Sequence, residues 1–355
     1  MRGAEGQSGR VAKWQSKIVT CNPATLQLCN LQPCPMKPKI SIIGVGAMAC
    51  LFAARLHGLA EFYLVGHWPE QIATLRGRDL TLLPMNDHLG HNEHTRQITV
   101  PITVFAADEA LPQVDMALVL VKSTQTKTAA ALAQRILTPS GLAVSLQNGL
   151  GNVEILAATL GHNRATGGST AQGAVIVRPG VVQHTGNGLT TLANQEETRP
   201  LADLFNQAGL TTDLIDDLDS LIWGKLIVNA GINPLTALLR QPNGFLATDP
   251  TARSLLAQIV WEAAQVAQAS GITLPYADPV ARTLGVVQVT AHNQSSMLQD
   301  VLRGAPTEIE AITGAILRYG TLTHTPTPLN THLYKLMQTG ARPQTITQLA
   351  HQLKT

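Results

Sequence analysis

Lys225, Asn229 and Asn233 are spaced four residues apart in the segment LIWGKLIVNAGINP, residues 221–234. On a helix that spacing puts all three on one face. The residues around them are apolar on nearly every side, so the helix is predicted to be largely buried. A buried ammonium costs free energy unless it is paired, and buried amides need partners; packing alone would favour Leu or Ala at these positions. A positioned ammonium can stabilise the negative charge left on oxygen when hydride reaches a ketone carbon, and can then donate the proton. The Asn side chains can fix the rest of a substrate by hydrogen bonds. The structural alternative is a snorkelling Lys at a helix edge with two capping or solvated Asn residues.

A second constellation works through backbone. Gly44-Val45-Gly46-Ala47-Met48-Ala49 follows an apolar strand and opens a helix, which is the GxGxxA pattern in the context a dinucleotide loop requires. Its glycines allow a tight turn and let a pyrophosphate approach the helix N-terminus; a plain Gly-rich turn is the alternative. About twenty residues on, an NAD-selective site carries an acid for the ribose hydroxyls. Here that place is Leu64-Val65-Gly66-His67, without an acid, which favours NADP. The Arg expected for a 2′-phosphate is missing too, leaving His67 nearest and Arg76 and Arg78 farther away.

Ligands of open α/β sheets collect beyond the carboxyl ends of the strands. Lys122 stands at the end of one predicted strand and Asn148-Gly149 after another, so both are candidates for contact with phosphates and the nicotinamide side. A solvated Lys and an ordinary Asn-Gly turn are their bland readings. Farther on, Glu308 falls in the first turn of a predicted helix, Thr307 to Tyr319. There Thr307 and Glu310 have the spacing of a capping box, and Asp300 fits a solvated helix face.

These residues need a scaffold, and the pattern from Ile40 supplies a βαβ alternation. Strands are predicted at Ile40–Ile43, Phe62–Val65, Met116–Val121 and Leu142–Leu146, with helices such as Ala47–His57 and Ala129–Ile136. Ala171 to Leu192 is predicted to form strand pairs joined at Arg178-Pro179-Gly180 and Gly186-Asn187-Gly188. Beyond residue 215 the strand signal ends. A long helix is predicted from Thr251 to Ser270, capped by Asp249 with Pro250 in its first turn and stopped by Gly271. The expected organisation is an N-terminal extension (1–38), an α/β Rossmann-like dinucleotide-binding domain (39–215) and an all-helical domain (216–355). Residues 1–38 contain one acid, Glu5, and no hydrophobic periodicity; they are expected to be disordered, as a transit-type peptide or, the preferred reading, as an over-long start preceding Met36.

Among 355 residues, 45% are hydrophobic and 14% charged, and the net charge is +2, so neither disorder nor a one-sided basic field for nucleic acid or anionic lipid is indicated. Every apolar run is interrupted before ~20 residues, so no membrane span is expected. Cys21, Cys29 and Cys34 match neither a zinc site nor a redox pair, and a reduced, cytoplasmic setting is expected. No metal is expected: His88, His91 and His94 sit three apart among polar residues, as in an exposed loop.

Six elements agree in order and spacing with one known family. Lys225–Ala237 (KLIVNAGINPLTA), Pro242-Asn243-Gly244, Ser295–Asp300 (SSMLQD), Thr307-Glu308-Ile309, and the N-terminal pair Gly44–Ala49 and Gln147–Gly151 resemble the successive motifs of ketopantoate reductases, over residues 39 to about 340. The resemblance implies NADPH-dependent reduction of 2-dehydropantoate to (R)-pantoate in pantothenate and coenzyme A synthesis. It implies a cleft between a Rossmann-like domain and a helical domain of the 6-phosphogluconate-dehydrogenase type, and it allows a homodimer. Carried over by position, Lys225 matches the proton donor; Asn229, Asn233, Asn243 and Ser296 match substrate-binding positions; Asn148 and Ala174 fall at the nicotinamide end. Glu308 matches a carboxylate near ribose and substrate. On physical grounds, burial should depress the Lys225 pKa, and Glu308 is the expected carboxylate that keeps it charged. Two rival readings stay open, a reductase of another branched 2-keto acid and a non-catalytic dinucleotide-binding sensor.

Overall fold

Why the strands are so apolar is plain from where they sit. The computed structural model describes residues 37–85 and 96–353. Expectations for residues 1–36 and for His88, His91 and His94 lie outside these residues. Twelve strands are described: β1 (Lys39–Ile43), β2 (Glu61–Gly66), β3 (Leu80–Leu83), β4 (Ile98–Val100), β5 (Val104–Ala106), β6 (Val114–Val119), β7 (Leu137–Ser145), β8 (Ala165–Thr170), β9 (Gly173–Arg178), β10 (Val181–Gly186), β11 (Thr190–Ala193) and β12 (Thr212–Ile215). The main sheet runs β12-β11-β8-β7-β6-β1-β2-β5. From β5 to β8 every pairing is parallel, whereas β11 is antiparallel to β8 and parallel to β12. Helices cover both faces, which is why β1 carries four buried residues in a row and no polar alternation.

A second sheet, β4-β3-β10-β9, packs beside it. The turn at Arg178-Pro179-Gly180 joins the antiparallel pair β9 and β10 as expected. The turn at Gly186-Asn187-Gly188 does not make a second hairpin, because β11 leaves β10 and joins β8 in the main sheet. All four β11 residues are buried, so the strand needs cover on both faces, and the other edge of β10 is already paired with β3.

From Leu218 the chain is helical. Asp217 caps the helix Leu218–Leu239 by accepting from Ser220 N at 2.9 Å. Among the described helices this is the one long and apolar enough to cross a membrane, and it is instead the core of the helical domain. Asp249 caps Pro250–Ala269 through Thr251 N and Ala252 N, and Gly271 follows at φ +77°, as the sequence predicts. The predicted single helix from Thr307 to Tyr319 is instead a π-helical turn, Glu310–Gly314, continuing into Ala315–Leu322, and no side chain caps its start. Glu310 forms no capping box. Its carboxylate turns back over Gly314 to pair with Arg318 and to accept from the Tyr334 hydroxyl.

Candidate active site

The two domains face each other across a cleft of about 1560 Å³. On the Rossmann side, Gly44 sits at φ +134°, a conformation that glycine alone adopts freely, and a Cβ there would stand 3.0 Å from Leu120 O. Its N–H donates to Val65 O at 2.8 Å, tying the loop to β2. Gly46 precedes the helix Ala47–Leu56 with no side chain over its first turn, leaving helix N–H groups available to an anion. Gly44, Val45, Gly46, Ala47 and Met48 line the cleft. Ala49 does not. It is fully buried, and as a small residue it lets the helix pack against the sheet.

The opposite wall is made of side chains. Lys225, Asn229 and Asn233 all line the cleft from one face of Leu218–Leu239. Lys225 Nζ donates to the main-chain carbonyl of Thr170, at the end of β8, at 2.7 Å. Burial lowers its pKa to about 8, and the field of Glu308 works against that fall.

Two carboxylates of the helical domain reach across to consecutive Rossmann residues. Glu308, 5% exposed, accepts from Ser123 N at 3.0 Å and from Asn148 Nδ2 at 3.3 Å. Asp300, 2% exposed, accepts from Lys122 Nζ at 2.6 Å and from Arg303 at 3.2 Å. The helix Ser296–Leu302 presents Ser296, Gln299, Asp300 and, just past its end, Arg303 to the cleft, at helical spacings of three, four and seven. Close by, Leu150 N donates to Ala311 O at 3.0 Å, and Gly149, at φ +87°, passes so near Ala311 that a Cβ would stand 2.5 Å from its oxygen.

Comparison with known proteins turns on both halves of this cleft. Residues 40–197 match the family model described as Ketopantoate reductase PanE/ApbA, and residues 217–341 match its C-terminal counterpart. The chain belongs to the ketopantoate reductase family. It is 32% identical to the 2-dehydropantoate 2-reductase of Halobacterium salinarum, over 79% of this chain and 91% of that protein. To the 2-dehydropantoate 2-reductase of Pyrococcus abyssi it is 31% identical, over 84% and 97%. Among solved structures, the 2-dehydropantoate 2-reductase of Geobacter metallireducens superposes with TM-score 0.77 at 28% identity, covering 85% of this chain and 99% of that one. A ternary structure of D-mandelate dehydrogenase with NADH and anilino(oxo)acetate superposes with TM-score 0.78 at 26% identity, covering 85% and 98%.

Within this ketopantoate reductase fold, the residues singled out from sequence fall unevenly. Lys225, Asn229, Asn233, Ser296, Glu308, Lys122, Asn148 and Ala174 all line the cleft. Asn243 does not; it is buried behind Thr290, donating to its hydroxyl at 2.9 Å. Lys122 is engaged by a protein carboxylate. Asp300 is buried and ion-paired, so its reading as a solvated residue is corrected. The expected Glu308–Lys225 partnership is not a direct ion pair, since Glu308 is held by Ser123 and Asn148. Of the arginines near β2, Arg76 pairs with Glu109 and Arg78 does not line the cleft, whereas His67 does. Thr170 was missed because its acceptor is a backbone carbonyl, which leaves no mark in residue identity.

Proposed function

We propose that this chain catalyses the NADPH-dependent reduction of 2-dehydropantoate to (R)-pantoate, the step used in pantothenate and coenzyme A synthesis, with Lys225 as proton donor. One observation carries the reading: a backbone loop suited to a pyrophosphate and an ammonium of near-neutral pKa share one cleft. The bound nicotinamide supplies the hydride. Lys225 Nζ, oriented by the Thr170 carbonyl, hydrogen-bonds the ketone oxygen and gives it a proton as charge develops there. The amine left behind is recharged from water. A pKa of about 8 leaves the group largely protonated at neutral pH yet ready to release the proton.

Asn229, Asn233 and Ser296 offer amide and hydroxyl groups to the carboxylate and hydroxyl of the substrate. Glu308 orients Asn148 at the nicotinamide end and sustains the charge of Lys225. No carboxylate stands at the end of β2, so a 2′-phosphate meets no repulsion there. A homodimer and a cytoplasmic location belong to the same proposal, and sedimentation velocity tests the first.

A second reading draws on the likeness to D-mandelate dehydrogenase with NADH: another 2-keto acid, reduced with NADH. Side-by-side initial rates with 2-dehydropantoate, 2-ketoisovalerate and an aryl 2-keto acid, each with NADPH and NADH, separate the two. The expected result is the highest kcat/KM for 2-dehydropantoate with NADPH; a higher value for either other acid overturns the substrate.

A further inference from the structure

At the β2 end of the cleft stand His67, the nearest side chain to the place of the missing Arg, and Trp68, which the proposed function leaves without a role. β1 and β2 run parallel with Ile43 opposite Val65, so the glycine loop lies directly against the end of β2. Gly66 is packed onto Val45, where a Cβ would stand 2.7 Å from Val45 Cγ2. The next two residues, His67 and Trp68, line the cleft before the helix Pro69–Gly77 begins. In a dinucleotide fold this is where the chain meets the adenosine ribose.

Trp68 keeps 37% of its surface exposed, although a large ring of this kind usually finds cover. Charged groups that line the cleft elsewhere belong to other places. Lys122, Asp300 and Arg303 form one ion-paired cluster, and Lys225 and Glu308 serve the reacting end. Arg76 is turned onto Glu109 and Val104 O. Among the described residues that line the cleft at the β2 end, His67 is therefore the titratable one.

We propose that Trp68 stacks on the adenine ring and that His67 addresses the ribose 2′ substituent, so that this chain prefers NADPH modestly and also accepts NADH. The proposal rests on the dinucleotide reading of the cleft given above. Stacking on an aromatic face is indifferent to the 2′ group, so Trp68 raises affinity for both coenzymes alike. Discrimination falls to one imidazole, which offers a single hydrogen bond where a guanidinium would offer a charged fork. Neither a repelling acid nor an Arg is present to make the choice strict.

Calorimetric titration of NADP⁺ and NAD⁺ into wild type and four variants tests this without turnover. Trp68→Ala is expected to weaken both ligands by about tenfold and leave their ratio unchanged, and Trp68→Phe to recover most of the loss. His67→Ala should bring the two affinities close together, and His67→Arg should widen the preference for NADP⁺ by about tenfold. Unchanged affinity in Trp68→Ala, no recovery in Trp68→Phe, or an unchanged ratio in His67→Ala overturns the assignment. Wild-type protein that binds neither dinucleotide would instead overturn the reading of the cleft on which it rests.

Discussion

The two walls of the cleft are built by different means. On the Rossmann wall, Gly44 and Gly46 act by what they lack, leaving backbone N–H groups bare at the start of a helix. On the helical wall, Lys225, Asn229, Asn233 and Ser296 present an ammonium, two amides and a hydroxyl to the cleft. The difference teaches where each wall is fragile. A backbone wall tolerates changes of side-chain chemistry but not an added Cβ; a side-chain wall tolerates changes of size but not the loss of a charge or an amide.

The largest effect should come from the side-chain wall. Lys225→Ala removes the proposed proton donor and is expected to lower kcat by roughly a thousandfold while dinucleotide affinity stays put. Steady-state kinetics beside a binding titration measures the split; unchanged turnover would remove the catalytic reading and restore the dinucleotide sensor. Next come the glycines, where the contrast can be broken. Gly149→Ala puts a side chain at φ +87° and within 2.5 Å of Ala311 O, so it should lower the unfolding free energy by about 2 kcal/mol in urea titrations. At Gly46 a Cβ would meet nothing within 4 Å of protein. Gly46→Ala should therefore change stability by less than about 1 kcal/mol yet weaken dinucleotide binding clearly, because the obstruction falls on the ligand.

Those two walls were not equally legible in the sequence. The glycine loop and the stripe of Lys225, Asn229 and Asn233 were, because a motif and a helical period are local and depend on residue type. What joins the walls was not. From sequence Asp300 reads as a solvated residue because its partner, Lys122, lies 178 positions away, although the spacing of Ser296, Gln299, Asp300 and Arg303 marks one face. The acceptor for Lys225 is a carbonyl, which any residue provides. β11 was expected to pair with β10, since adjacency along the chain suggests a hairpin; the burial of all four of its residues decided otherwise.

A smaller effect tests the join itself. Lys122 is half-exposed and Asp300 buried, so their ion pair should be worth about 1 kcal/mol in a double-mutant cycle of Lys122→Met with Asp300→Asn, read from unfolding free energies. Additive effects would mean that Arg303 alone satisfies Asp300 and that the ion pair does not hold the walls together.

The finest test asks whether Glu308 acts on Lys225 through its field or only through Ser123 and Asn148. Lys225 as the proposed proton donor would work in its charged form, so reduction should hold steady at lower pH and fall as pH rises through about 8. Burial lowers the Lys225 pKa and Glu308 raises it, so Glu308→Gln removes the opposing influence and the pKa falls further. The alkaline limb of kcat for reduction should then move to lower pH, and the onset of alcohol oxidation, which needs the neutral amine, should move the same way. Gln keeps the shape of Glu and one acceptor oxygen, enough for Ser123 N but not also for the Asn148 amide, so a change of rate without a shift of either limb would assign Glu308 to positioning Asn148. A shift of both limbs together, with dinucleotide affinity unchanged, would show that Glu308 sets the proton chemistry of Lys225 from within the helical wall, while holding Ser123 and Asn148 of the other.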